Sequence, residues 1–283
     1  MLHWHEFGDP DGVPVLHFHG TPGSGREAAA LDAAARTAGV RLIAPDRPGM
    51  GRTPHVPGRR LAHWPADVVA LLEELGVERA GILAWSGGGP YALACLARIP
   101  RRLTGVALLA PAGLLPRVPW ANRLLPRLYL PVAALVARAR DWGPTASLAQ
   151  YRLRRARTRL RGEDAAAAEP LAPSAAAALA ASWREAFRQG SAGPVQDELV
   201  INEDWSGLLA PARGARGVPV RIWHGRRDRT VPHRDSRRLA RALGVHLVDA
   251  RDGDHAGALL RTGPEALGFL AATGSSPMPT RTF

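Results

Sequence analysis

The chain has 283 residues, 46% of them hydrophobic, which allows a large core and argues against wholesale disorder. Its formal net charge of +12 rests entirely on arginine, since no lysine occurs; with no zinc-finger, RNP or basic-zipper pattern, this reads as compositional bias and not as a nucleic-acid footprint. The single cysteine, Cys95, excludes an intramolecular disulfide, and neither a signal peptide nor a bilayer-long apolar run is evident, so a cytoplasmic protein without membrane contact is expected.

Short apolar runs recur along the chain, each closed by a Gly/Pro/Asp turn and followed by a helical pattern. The first, VPVLHFHG from Val13, ends in TPGSGRE, and the second, VRLIAPDRPG from Val40, ends in a Pro/Gly loop. An amphipathic stretch, ADVVALLEELG from Ala66, leads to AGILAWSGGG. The helix-like YALACLARIP follows and leads to LTGVALLAPAG. Cys95 lies in that helix and reads as a small core residue. Between about Gly113 and Trp205 the rhythm breaks into helical pieces cut by prolines, then resumes with VPVRIWHGRRD from Val218, the helical HRDSRRLARALG, and VHLVDARDGDH from Val245. The tail from Thr273 is polar and Pro-bearing, and is expected to fray.

Apolar strands alternating with helices imply crossover connections and a mostly parallel twisted sheet covered on both faces. The expected architecture is an α/β sheet domain from residues 1–112 and 206–283, with a helical cap inserted at 113–205. A structureless linker of that size inside a compact domain would be unusual.

One residue stands out on this scaffold. Ser86 sits in Ala84-Trp85-Ser86-Gly87-Gly88, at the corner between an apolar strand and a helix. A serine held on a strained strand-to-helix turn needs small residues two before and two after it, and the helix start aims backbone N–H groups at it. The same glycines would also suit a plain tight turn, so this pattern alone leaves both readings open.

The pattern resembles the nucleophile elbow of the α/β-hydrolase fold family, with Ala84 in place of the first glycine. Four more segments resemble that family in the same order. His19-Gly20-Thr21-Pro22-Gly23 is similar to its oxyanion loop. The resemblance implies the backbone N–H groups of Thr21 and Gly87 as oxyanion donors and a structural role for His19. APDRPGMGRT from Ala44 is similar to the loop after the next strand, with Thr53 where serine is usual and Asp46 and Arg47 orienting loops. His224-Gly225-x-x-Asp228-x-x-Val231-Pro232 resembles the segment that carries the triad acid, here Asp228. DARDGDHAGALL places His255 where the family has its general base, with Asp254 standing where glycine is common; Asp252 and Asp254 are rival acids by proximity alone. The order Ser86, Asp228, His255 is the one this fold uses.

The resemblance implies acyl-serine chemistry on a small-molecule substrate, without metal or organic cofactor. Serine at the elbow disfavours the aspartate-based epoxide and halide chemistries of relatives. A carboxylesterase acting on a small or medium apolar ester is the leading expectation. A proline-type aminopeptidase, a thioesterase or acyltransferase using an acyl carrier or CoA thioester, a C–C bond hydrolase and a non-turnover ligand-binding protein are the alternatives. A peptidase would need cap acids for a substrate amine, for which Glu185, Glu198, Glu203 and Asp204 are candidates. Trp85, Trp120 and Trp183 are candidate substrate-binding residues. The cap also holds Trp142, Trp205, Tyr129, Tyr151 and Phe187, and for any one aromatic the cap's own core is the commoner fate. The Arg-dense YRLRRARTRLRGED reads as a solvated helix face.

Overall fold

A computed structural model describes residues 1–112, 124, 126–128, 130–132, 134, 173–215, 217–250 and 253–275. Its seven strands are β1 (Trp4–Gly8), β2 (Val13–Phe18), β3 (Val40–Pro45), β4 (Ala80–Trp85), β5 (Leu103–Leu109), β6 (Val220–Gly225) and β7 (His246–Ala250). They form one sheet in the order β1-β3-β2-β4-β5-β6-β7. All neighbours run parallel except β1, which is antiparallel to β3.

The six apolar runs of the sequence are the six parallel strands, β6 and β7 starting at Val220 and His246. β1 is an addition. Its WHEFG carries polar residues because an edge strand is covered on fewer sides than a central one. It is held by backbone pairing to β3 and by Arg41, whose Nε and Nη2 donate to Glu6 at 2.8 and 2.9 Å.

The central strands are buried on both faces, so successive residues feed different cores. Ile82 and Ala84 of β4, with Val106 and Leu108 of β5, face one cluster built with α2 (Trp64–Glu74) and α3 (Gly88–Arg98). Leu83, Ala107 and Leu109 face the other, completed by α1 (Asp32–Thr37) and α9 (Gly263–Gly274). Cys95 is fully buried on α3. Trp64 anchors the first core edge-on to Phe18 and Tyr91, at centroid distances of 5.3 and 5.4 Å. The segment expected to fray from Thr273 remains helical through Gly274.

Between β5 and β6 the described chain is helical: α4 (Pro173–Ala186), α5 (Ala192–Ile201) and α6 (Leu209–Gly214). α4 and α5 are fastened to the sheet domain by polar contacts. Ser24 N donates to Ser182 Oγ at 2.9 Å, Gly51 N donates to Glu185 O, and Gln189 Nε2 donates to the carbonyls of Gly51 and Thr53. α5 approaches the loop after β3 so closely that a methyl on Gly193 would overlap the Gly49 carbonyl. Two further α-helices are α7 (His233–Leu243) and α8 (His255–Leu260). No helix among the described residues is long and apolar enough to cross a membrane.

The chain leaves β2 toward β3 on one side and returns to β4 on the other. The carboxyl ends of β2 and β4 therefore flank a topological switch point, where the connecting loops diverge and leave a crevice. The loops after these two strands carry Thr21 and Ser86.

Candidate active site

β4 ends at Trp85 and α3 starts at Gly88, leaving a turn too tight for ordinary backbone geometry. Ser86 takes φ = +52°, in the left-handed region that costs a non-glycine residue roughly 1–2 kcal/mol. The surroundings hold it there. Ser86 N donates to Leu109 O at 3.0 Å, and Ser86 O accepts from Gly89 N at 3.0 Å and Ala112 N at 2.8 Å. The glycines behind it are spatial necessities: methyls on Gly87, Gly88 and Gly89 would run into Thr21, Phe18 O and Pro111 respectively.

The turn aims Ser86 Oγ at His255, the first residue of α8. Oγ lies 2.9 Å from His255 Nε2, and His255 Nδ1 lies 2.6 Å from Asp228 Oδ2. Three residues from three separate loops thus form one hydrogen-bonded chain, each only 7–9% exposed. Asp228 follows β6. Its Oδ1 accepts from Thr230 N at 2.7 Å and Val231 N at 2.9 Å, while its Oδ2 also faces His224 Nε2 at 3.1 Å. Burial alone would raise this carboxyl. The hydrogen bonds from His224 and His255, the charge of His255 and the Val231 amide outweigh it and hold the group well below the usual carboxylate range. His224 Nε2 faces two acceptors, Asp228 Oδ2 and the Val231 carbonyl, each at 3.1 Å, so it donates its N–H to them, while Ser236 Oγ lies 2.6 Å from Nδ1 and orients the ring.

Asp254, at the glycine-like position, has an extended backbone, and its side chain accepts from Gly257 N at 2.7 Å. It caps the helix that begins with His255, a use for which aspartate is well suited. Asp252 lies outside the described residues. Trp85 donates its Nε1–H to His255 O at 3.1 Å, with its ring 5.0 Å from the imidazole. A methyl on Gly20 would lie 2.9 Å from Trp85 Cε3. Trp85 therefore stands between the histidine loop and the loop after β2.

The loop after β2 is organised from beneath. Buried Glu27 accepts from Gly20 N at 3.1 Å and faces His17 Nε2 at 2.8 Å. His19 donates Nδ1–H to Gly20 O at 2.7 Å, and burial holds it well below the ordinary imidazole range, which matches a structural role. Thr21 lies against the elbow: a methyl on Gly87 would be 3.2 Å from Thr21 N.

A second buried network joins this loop to α5. Arg47 donates Nε–H to Asp197 Oδ1 at 2.7 Å and Nη2–H to Asp197 Oδ2 at 2.8 Å. The same guanidinium donates to His19 O, Gly20 O and Thr21 Oγ1, at 2.6, 3.0 and 2.8 Å. Asp197 also accepts from Tyr91 Oη at 2.7 Å and Thr21 Oγ1 at 2.6 Å. Burial would lower the Arg47 pKa, but the Asp197 charge and hydrogen bond raise it above its ordinary value. Asp197 went unnoticed in the sequence because nothing in VQDELV distinguishes it from its neighbour Glu198; only α5 docking on Gly49 brings it inward.

Trp183 is half-buried, edge-on to Phe187 at 5.2 Å in a small cluster with Met50, Leu130 and Ala186. Trp205 is buried in the main core. Trp120, Trp142, Tyr129, Tyr151 and the Arg-dense segment lie outside the described residues. Of the four acids considered for a substrate amine, Glu185 lies 3.5 Å from Arg188, Glu203 lies 3.7 Å from Arg60, Asp204 accepts from Ser206 N, and Glu198 faces Asn202 Nδ2 at 3.5 Å.

A family model described as alpha/beta hydrolase fold matches residues 13–261, from the start of β2 through α8. The chain belongs to the α/β-hydrolase fold family. Within it, a curated relative, the proline iminopeptidase of Neisseria gonorrhoeae, is 31% identical over 117 residues; the match spans 38% of this α/β-hydrolase and 36% of that protein. Among solved structures, the enol-lactonase of Burkholderia xenovorans LB400 superposes with a TM-score of 0.67 at 20% identity, over 97% of this chain and 96% of that one. A structure from work on carboxylesterases of Nitrososphaera gargenis gives 0.67 at 17% identity, over 96% and 94%. At such identities the likeness is one of fold.

Proposed function

We propose that this α/β-hydrolase is a serine esterase that cleaves small or medium apolar carboxylic esters through an acyl-enzyme, with residues 113–205 as its cap. The observation that carries the reading is the continuous Ser86–His255–Asp228 hydrogen-bond chain starting from a serine with positive φ. His255 Nε2 accepts the Ser86 proton as Oγ attacks the ester carbonyl, and Asp228 stabilises the resulting imidazolium. The amides of Thr21 and Gly87 stabilise the oxyanion, a term worth roughly 3–4 kcal/mol per donor in comparable sites. The proton then passes from His255 to the leaving alcohol. Water, deprotonated by the same imidazole, attacks the acyl-Ser86 carbonyl, and the free acid leaves. No step requires a metal or an organic cofactor.

The partial match to a proline iminopeptidase supports a second reading, an aminopeptidase. That chemistry needs an acidic group free to hold a substrate amine. Asp197, the α5 acid nearest Thr21, is occupied by Arg47, Tyr91 and Thr21, and the other four candidates contact polar groups of the chain itself. The described residues thus favour an ester. Parallel assays on short-chain p-nitrophenyl esters and prolyl p-nitroanilide separate the two. Turnover of the esters, lost in Ser86→Ala, is expected; turnover of the prolyl amide alone would establish the peptidase instead.

A further inference from the structure

On the far side of the loop after β3 from Arg47, three potential ligands converge. Asp46, fully buried at the end of β3, lies between His3 and His5. His3 Nδ1 is 3.0 Å from Asp46 Oδ2, His5 Nε2 is 3.8 Å from the same oxygen, and no two of these donor atoms are more than 4.8 Å apart. We infer that His3, His5 and Asp46 form a binding site for a divalent transition metal, zinc being the best match. The inference is independent of what Ser86 does.

Ligand chemistry comes first. Two imidazoles and one carboxylate with an open fourth position is a recurrent zinc donor set, at metal–ligand distances of about 2.0–2.2 Å. A tetrahedron of that size places its ligands roughly 3.3 Å from one another. The two measured separations to Asp46 bracket that value. Closure of the remaining gap falls to His3, whose side chain is 30% exposed and has room to turn.

The backbone around the site is already fixed. His3 N donates to Thr53 Oγ1 at 2.8 Å, and Asp46 N donates to His3 O at 2.8 Å, so the first ligand is tied to the loop that carries the third. The carboxylate is oriented by Gly25 N on Oδ1, at 2.8 Å, and Arg52 N on Oδ2, at 3.2 Å. Such outer contacts hold a ligand in place and tune its affinity.

An unexplained group points the same way. His5 Nε2 is buried and has no hydrogen-bond partner, in a setting where an orphaned polar atom costs about 1–3 kcal/mol. A metal ion would use the lone pair of that nitrogen and replace the His3–Asp46 proton. Spacing along the chain gave no such signal, because the third ligand comes from a different strand.

The ion would pin the antiparallel edge strand to the loop that carries Arg47. The test is calorimetric titration of chelator-treated protein with zinc chloride, beside His5→Phe, which keeps a ring next to His3 and Phe7 and removes both ring nitrogens, Nε2 being the one without a hydrogen-bond partner. Expected are one saturable zinc ion per chain, affinity at least tenfold weaker in His5→Phe, and a melting temperature that rises with zinc in the parent only. Absence of saturable binding, or equal binding by His5→Phe, would overturn the site. Ser86→Ala should bind zinc like the parent.

Discussion

At the scale of single residues, three side chains and what surrounds each set the chemistry proposed for the site. Asp228→Asn preserves shape but lets the amide present N–H where His255 needs an acceptor. In serine enzymes with this geometry, that change lowers kcat by about 10⁴, and a comparable loss in ester turnover is expected, measurable by steady-state kinetics. The same residue sets an acid limit on stability. Its folded carboxyl lies well below the value of about 3.9 for an unfolded aspartate. The charged form therefore contributes stability that is fully present above pH 4 and is lost as pH falls below it. Urea midpoints followed from pH 6 to pH 3 should fall more steeply in the parent than in Asp228→Asn. Ser86 stood out from its turn, and Asp228 and His255 from the resemblance of their segments to those of the family; the structure brings the three side chains into one hydrogen-bonded chain. Neither the turn nor the resemblance could show that His224 also contacts Asp228, or that Asp254 is a helix cap; both depend on where the loops after β6 and β7 meet.

At the scale of elements, α5 is tied to the loop after β2 through Asp197, which pairs with Arg47 and accepts from Thr21 Oγ1. Removing one member of that ion pair strands the other in a dry interior, a loss of about 3–5 kcal/mol. Asp197→Ala should show that loss in denaturant unfolding. Replacing both partners with apolar residues, as in Arg47→Met with Asp197→Val, should recover part of the stability, since neither charge of the pair is left unpaired, but not all of it, because the Tyr91 and Thr21 hydroxyls and the His19 and Gly20 carbonyls lose their partners. It should not recover kcat, because the carbonyls of His19 and Gly20 and the hydroxyl of Thr21 would still lack the guanidinium that holds them. Stability and kcat restored together would mean that the pair only packs and does not position Thr21. The five inner strands, β2 to β6, were legible as continuous apolar runs because both their faces are covered. Of the two edge strands, β7 still shows the apolar VHLV, whereas β1, whose WHEFG mixes half-exposed polar and aromatic residues, carries no such run. Asp197 was hidden for a related reason: a burial created by docking leaves no mark on a helix whose neighbouring positions are also polar.

At the scale of the whole molecule, the sheet's strand order decides where chemistry can sit. The chain diverges between β2 and β4, and the loops after both strands, with those after β6 and β7, gather at the same edge. In the core, buried Trp64 packs edge-on to Phe18, the last residue of β2, and to Tyr91 of α3, and Trp64→Ala should cost about 3–5 kcal/mol in denaturant unfolding. The central claim is that this architecture makes Ser86 a nucleophile. The most direct measurement is peptide mapping by mass spectrometry after treatment of the folded protein with a fluorophosphonate. The account predicts a single phosphonyl adduct on Ser86, absent after unfolding in urea and strongly slowed in His255→Ala. An unmodified Ser86, or one that reacts equally fast without His255, would contradict it.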